Sequence, residues 1–197
     1  LPLLNDPGQP TDTSLLVWTT TPWTLPGNLA AAVHQEYTYV KLRIKKEESE
    51  NGNKHEESPG TEYVILAKAR LDQIGDTEYE IVEEMSGADL VGRRYQPPFP
   101  YLQDQEIEGA ENAWQILHAD YVELGEEGTG AVHLAPAYGE DDMELAKAHG
   151  VPIFHHVNES GHFKDFVSDF AGQLVKPKDD DESGVTHLDA DIEIVKA

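Results

Sequence analysis

The apolar residues of this chain come in short β-branched and aromatic runs, and each run is stopped by proline, glycine or a block of charge. Ser14 to Thr20 (SLLVWTT) ends at the Thr21-Pro22 step, because proline lacks the N–H that a ladder requires. Thr38 to Ile44 alternates, with Val40, Leu42 and Ile44 on one face, and Glu62 to Ala67 (EYVILA) is a second such run. Glu78 to Glu83, Ala113 to Val122 and Gly130 to Ala135 continue the series. Many short strands and few helical stretches predict a strand-rich α+β fold, with a closed or barrel-like β core and a few short peripheral helices.

One helix is clearly marked. Glu140 to His149 (EDDMELAKAH) has carboxylates in its first turn, apolar Met143, Leu145 and Ala146, and Gly150 just beyond its end. In Thr24 to Val33, Pro26 and Gly27 predict a tight turn feeding a strand or short helix. Pro97, Pro98 and Pro100 enforce an extended loop within Gly87 to Tyr101, and Asn158 to Gly161 is a hairpin turn between Val151–Val157 and His162–Val167. The charged stretch 45–60 is expected to be a mobile hairpin tip, 178–188 an acidic linker, and 189–197 the start of a truncated helix.

At 197 residues the chain suits one substantial domain, 1–197. Its start at Leu1, with no basic-then-apolar leader and no membrane-length apolar stretch, predicts a soluble piece of a larger protein, expected to be monomeric in isolation, and leaves the compartment open. With no cysteine, a disulfide framework, a thiolate metal site and a catalytic thiol are all excluded. The 38 acidic residues outnumber 14 basic ones for a net charge of −24, which repels nucleic acid over most of the surface and argues against a self-sufficient tRNA binder.

Two blocks carry chemistry: Trp18 to Asn28 (WTTTPWTLPGN) and Gly128 to Asp142 (GTGAVHLAPAYGEDD). Together they resemble the paired signatures of the editing domain inserted into class I synthetases for isoleucine, valine and leucine. The TTTPWTLP wording resembles the isoleucine enzyme in particular. The likeness extends more loosely through Gly92 to Pro100 (GRRYQPPFP) and Asp169 to Val175 (DFAGQLV). It implies a second sieve: a hydrophobic pocket cannot strongly reject a side chain one methylene smaller, so a separate site hydrolyses the error, for which isoleucine against valine is the standard illustration rather than a result of this chain.

The resemblance implies roles for particular residues. Asp142 would hold the α-ammonium group of the aminoacyl ester, its charge favoured by the helix N-terminus. Taken without the resemblance, Asp141 and Asp142 read as helix caps. His133 would face the bound side chain as a steric gate, and only secondarily act as a general base; by itself it reads as a partly buried structural histidine. Thr19, Thr20, Thr21 and Thr24 have hydroxyls that both donate and accept, suited to orienting a water and holding the terminal ribose and ester. Strand alternation puts Thr19 and Thr21 on one side and Thr20 on the other, unless the turn at Pro22 disrupts the pleat. No basic partner nearby in sequence makes any of them a nucleophile, so direct hydrolysis is expected. Asn28 matches a position near the pocket, or is a turn residue. Thr129 and Gly130 would allow the terminal adenosine to approach the backbone. Trp18 and Trp23 read as packing.

The implied substrate is the 3′ terminal adenosine of tRNA(Ile) carrying valine, with the adenylate as a second possibility, and the remaining synthetase domains act in cis; the resemblance alone implies a cytoplasmic location. Editing needs no cofactor; ATP and zinc belong to other parts of the parent enzyme. Three rivals remain: a metal hydrolase using His155-His156 or His118 with Asp120, a module that binds the tRNA end without chemistry, and an editing domain of a valine or leucine enzyme. Adjacent strand residues face opposite ways, which weakens the first, and the combination of Asp142, His133 and the threonines weakens the second.

Overall fold

The computed structural model describes residues 1–6, 8–45, 63–125, 127–175 and 187–197. The chain packs as two units, each assembled from separated segments: Leu1–Trp18, Ala31–Gln96 and Trp114–Val132 form the first, and Thr19–Ala30, Pro97–Ala113 and His133–Ala197 the second. The expected tip at 45–60 lies, beyond Lys45, outside the described residues, as does nearly all of the 178–188 linker.

In the first unit, β1 (Pro2–Leu4), β2 (Pro10–Leu15), β4 (Thr38–Ile44), β5 (Tyr63–Ala67) and β6 (Tyr79–Ser86) form one sheet in the order β1-β2-β5-β4-β6. The alternation in β4 sorts its residues as expected: Val40 and Leu42 are buried with Leu66 in one cluster against Ile44, whereas Tyr39 joins Leu15, Ile65 and Ala67 in another. β4 and β5 pair antiparallel with Leu42 opposite Val64, while β2 runs parallel to β5 with Ser14 opposite Val64. β6 lies at the sheet edge and carries Glu80 and Glu84, which meet Arg43 and Lys68 at 3.2 and 2.6 Å. Charge of this kind protects an edge against further strand pairing. These exposed pairs add little stability.

A three-stranded sheet has the order β7 (Ile116–His118), β3 (Ala30–Val33), β8 (Ala131–Leu134). β3 is central and fully buried, which its small residues, Ala30 to Ala32, permit. The first unit's part of this sheet pairs Ala31–Val33 in parallel with Ile116–His118.

The second unit has little regular strand among its described residues. α1 (Glu140–His149) ends at Gly150, which adopts the left-handed conformation (φ +66°), as the sequence requires. α2 (His187–Lys196) buries Ala190 and Ile194 against Tyr101, Phe163, Val167, Phe170 and Val175. The proline-rich loop supplies aromatic rings to this core: Phe99 stacks on Tyr101 at 5.6 Å, and the Tyr101 hydroxyl donates to Asp169 Oδ2 at 2.7 Å. The Asn158–Gly161 turn is present, closed by Gly161 N to Asn158 O at 3.0 Å and an antiparallel bridge between Val157 and Phe163.

The strand-rich α+β character is therefore as expected. Two segments differ. The run from Ser14 to Thr20 stops as a strand at Leu15, and a 3₁₀ helix at Pro22–Gly27 follows the threonines, with proline at its start. The Ala113–Val122 run keeps only Ile116–His118 as strand; Trp114 has φ +55° and Ala119 begins a turn closed by Val122 N to Ala119 O at 3.3 Å. Apolar composition alone did not reveal these turns.

Candidate active site

In the second unit, the 3₁₀ helix at Pro22–Gly27 turns the threonine block so that successive hydroxyls meet. Thr21 N donates to Thr19 Oγ1 at 3.0 Å, and the Thr19 and Thr21 hydroxyls lie 3.4 Å apart. Thr21 and Thr24 hydroxyls are 3.5 Å apart, and Thr24 Oγ1 lies 3.0 Å from His133 Nε2. Thr19 and Thr21 thus share a side even though they are past the end of the strand. Thr20 is exposed. The line of groups runs from exposed Thr21 to Thr24 and His133, which are 6% and 8% exposed.

Hydrogen-bond accounting assigns the His133 tautomer. The single Thr24 hydroxyl proton goes to the Thr21 carbonyl at 2.8 Å, so Thr24 Oγ1 must accept from His133 Nε2–H. Nδ1 is then a buried lone pair with no hydrogen-bond partner among the described residues. Burial first, and the charge of His156 second, push the His133 imidazole down to about 4. At neutral pH it is an uncharged ring held in place by Thr24.

Asp142 stands in the first turn of α1, half-buried, and its Oδ2 accepts from Ala135 N at 2.9 Å. The helix N-cap is Gly139, with no side-chain capping bond, so the capping reading of Asp141 and Asp142 is replaced by a tether. Asp142 binds the helix start to the chain two residues beyond His133. Gly139 is confined too, since a Cβ there would come within 3.1 Å of the Asp142 carboxyl carbon.

Asn28, only 2% exposed, donates from Nδ2 to the Ala30 carbonyl at 2.9 Å, so it braces the chain entering β3. Thr129 and Gly130 lie in the first unit, where the Thr129 hydroxyl reaches the Leu16 and Ala131 carbonyls at 2.6 and 3.2 Å. Gly130 has φ +76°, and an added Cβ would strike Ala67. Both residues line a cleft of about 460 Å³ in that unit, together with Trp18, Glu123, Gly125, Glu127, Gly128 and Val132. Trp18 is 38% exposed there, so it is not packed away as expected.

Several neighbours of the site were not assigned to it by sequence, His156 having been considered only as a metal ligand. His156 is fully buried; its Nε2 donates to the Trp23 carbonyl at 3.1 Å, leaving Nδ1 without a partner among the described residues. Burial pushes this imidazole down to about 4 as well. The Tyr138 hydroxyl oxygen accepts from His156 N and Val157 N, both at 2.9 Å, and Trp23 packs edge-on against its ring at 5.1 Å. Gly27 is the complement of His156: a Cβ at that position would run into the imidazole. The adjacent histidines do diverge, with His155 exposed and His156 enclosed.

His118 and His34 approach Asp120 Oδ1 at 3.1 and 3.9 Å. Their Nδ1 atoms accept from Gln35 N and Glu36 N at 3.2 and 3.3 Å, which places the protons on the Nε2 atoms facing the carboxylate. A metal at those Nε2 atoms would require the opposite tautomer. Among the described residues, no group of three histidines or carboxylates is arranged to hold a metal, and no helix is long and apolar enough to cross a membrane.

No family model matches the chain. Its sequence is similar to isoleucine–tRNA ligases: 46% identical over 165 residues to that of Mycobacterium leprae, covering 82% of this chain and 14% of the relative. Against the Clostridium tetani ligase it is 37% identical over 179 residues, 88% of this chain and 15% of the relative. Against that of Bdellovibrio bacteriovorus it is 40% identical over 182 residues, 91% and 15%. The structure is also similar to "GlLeuRS-CP1", with TM-score 0.49 and 21% identity over 70% of this chain and 49% of that one. A leucyl-tRNA synthetase editing domain of P. knowlesi gives TM-score 0.48 and 17% identity over 69% and 51%.

The curated relatives named here are aminoacyl-tRNA ligases, enzymes of tRNA charging. The chain belongs, as a segment, to the isoleucine–tRNA ligase family, and spans about 15% of the length of the relatives it matches.

Proposed function

We propose that this segment is the editing module of an isoleucine–tRNA ligase and hydrolyses valine from tRNA(Ile). The observation that carries the reading is the Thr21–Thr24–His133 line of hydrogen bonds, with Asp142 tethered two residues beyond His133. Its parts match the needs of ester hydrolysis. Water's oxygen bonds to the ester carbonyl carbon, the bond from that carbon to the ribose oxygen breaks, and the ribose oxygen takes up a proton. Free valine and an intact tRNA terminus result.

Thr19 and Thr21, whose hydroxyls meet at this turn, orient the water, since a hydroxyl can donate and accept at once, and Thr20 on the other side holds the terminal ribose or ester. Asp142 holds the substrate ammonium by a charge-assisted bond. His133 serves as the gate: an imidazole fixed through Nε2 and kept uncharged by burial is a rigid apolar wall that excludes the additional carbon of isoleucine. The same low basicity argues against a proton-abstracting role. Thr24 holds the gate, and Asn28 braces the segment that follows it. In the first unit, Trp18 and the glycine-rich backbone at Thr129 and Gly130 form a nucleoside surface for the terminal adenosine. A chain of net charge −24 leaves the rest of the tRNA to other parts of the ligase, in the cytoplasm where tRNA charging occurs.

The test is a deacylation panel with both the full ligase and this segment. Valyl-tRNA(Ile) should release valine while isoleucyl-tRNA(Ile) persists. Absence of free valine from both preparations would refute the reading, and faster clearance of threonyl-tRNA(Val) would assign the module to the valine enzyme.

A further inference from the structure

Gly125 and the glycine-rich stretch 127–130 have no regular ladder of their own, yet their main chain is tightly held. Gly128 and Gly130 have φ +90° and +76°, conformations that glycine adopts without strain. Three successive carbonyls are captured from within the first unit. Arg70 Nε donates to Gly128 O at 3.1 Å, Ala67 N to Thr129 O at 2.9 Å, and the Tyr39 hydroxyl to Gly130 O at 2.6 Å. Arg70 also donates through Nη1 to the Gly125 carbonyl, so one guanidinium holds the main chain at both Gly125 and Gly128.

Arg70 is only 7% exposed, at a kink with non-helical backbone (φ −115°, ψ 24°) between two short 3₁₀ turns within Lys68–Ile74. Its Nη2 lies 3.0 Å from the largely exposed Asp72 carboxylate. A buried guanidinium with so much of its donor capacity directed to main-chain oxygens acts as a clamp, because its planar fork fixes direction as well as distance. The cleft formed by this loop is also lined by Glu123 and Glu127, on a chain already strongly acidic. Carbonyls bound to Arg70 are, in addition, withdrawn from any ligand.

We propose that Arg70 is a positioning residue for the cleft lined by Trp18, Gly125 and residues 127–132: it holds the main chain at Gly125 and Gly128 in the shape that lets the terminal nucleoside of an acylated tRNA, with its attached phosphate, enter. The proposal rests on the editing reading for the identity of the ligand. Arg70 does not itself touch the ester.

The experiment uses the full ligase carrying Arg70→Met or Arg70→Lys, with valyl-tRNA(Ile) as probe, and amide hydrogen exchange of residues 123–130. Loosening the loop by losing the Arg70 clamp should raise the deacylation KM at least about tenfold in Arg70→Met with kcat nearly unchanged, the equivalent of one charge-assisted bond out of the two removed. Exchange at 123–130 should speed up. Arg70→Lys keeps the charge without the fork, so it should recover part of the affinity but retain the faster exchange. Should Arg70→Met fail to fold, Arg70→Lys carries the test through its own KM and exchange. Wild-type KM and exchange in Arg70→Lys, or a fall in kcat at unchanged KM, would overturn the proposal. A wild-type ligase that releases no valine would instead refute the editing reading, and with it the ligand named here.

Discussion

Two enclosed imidazoles should set the lower pH limit of the second unit. His133 and His156 are each pushed from the ordinary 6.5 down to about 4, chiefly by burial. With the folded-state pKa below that of the unfolded chain, the unfolded chain binds more protons between those values. Stability is therefore complete above about pH 6.5 and is lost as pH falls toward 4. Each histidine contributes up to about 3 kcal/mol over that window. With both acting, the slope near pH 5.5 approaches about 2–3 kcal/mol per pH unit. That is an upper limit, because the charge of His156 is part of what depresses His133 and the two contributions overlap. A competing effect is protonation of the 38 carboxylates, which relieves repulsion in a chain of charge −24. Ordinary carboxylates titrate near pH 4, so the histidines dominate the upper part of the window. Urea unfolding followed by circular dichroism at pH 5, 6 and 7 measures the slope, and the His133→Gln, His156→Gln double variant supplies the reference. A wild-type midpoint that is flat from pH 7 to 5, or a slope equal to that of the double variant, would refute the argument.

Other outcomes follow from the same geometry. Thr24→Val keeps the side-chain shape but strands the His133 Nε2–H, while the Thr21 carbonyl keeps the Thr24 N–H at 3.0 Å, and should cost about 1–3 kcal/mol in thermal or chemical unfolding. Gly27→Ala places a methyl in the His156 ring and should destabilise by about 1–3 kcal/mol, with most of the loss recovered when His156 is also shortened to Ala. Asp142→Ala should abolish release of valine from valyl-tRNA(Ile), and unchanged deacylation would show that the ammonium group is held elsewhere. His133→Ala should allow hydrolysis of isoleucyl-tRNA(Ile), and continued rejection of that substrate would move the gate to another residue.

Local signals in the sequence located much of the secondary structure. Alternation placed β4 at Thr38–Ile44, and charge with a terminal glycine placed α1 at Glu140–His149. They failed where a chain reversal is made by ordinary residues: the strand expected through Thr20 stops at Leu15, and Trp114 takes a left-handed turn with no glycine to announce it. The candidate site was legible as residue types in two blocks, but its internal wiring was not. The helix-cap reading of Asp142 gave way to a bond with Ala135 N, and Asn28 and Thr129 emerged as braces of the main chain. Arg70 carried no motif, since what distinguishes it is burial against carbonyls 55 and 58 residues away.

By itself, then, the sequence determined the strand-rich class, the family to which the segment belongs and the side chains available for hydrolysis, because each is written in local pattern and residue identity. Only the tertiary structure decided which threonine holds His133, which tautomer that ring adopts, why it stays uncharged and why Gly27 has no side chain. Thr24 and His133 are 109 residues apart, and Gly27 meets His156 only through packing. Hydrogen-bond partners and desolvation belong to the folded surroundings of a group rather than to its neighbours along the chain.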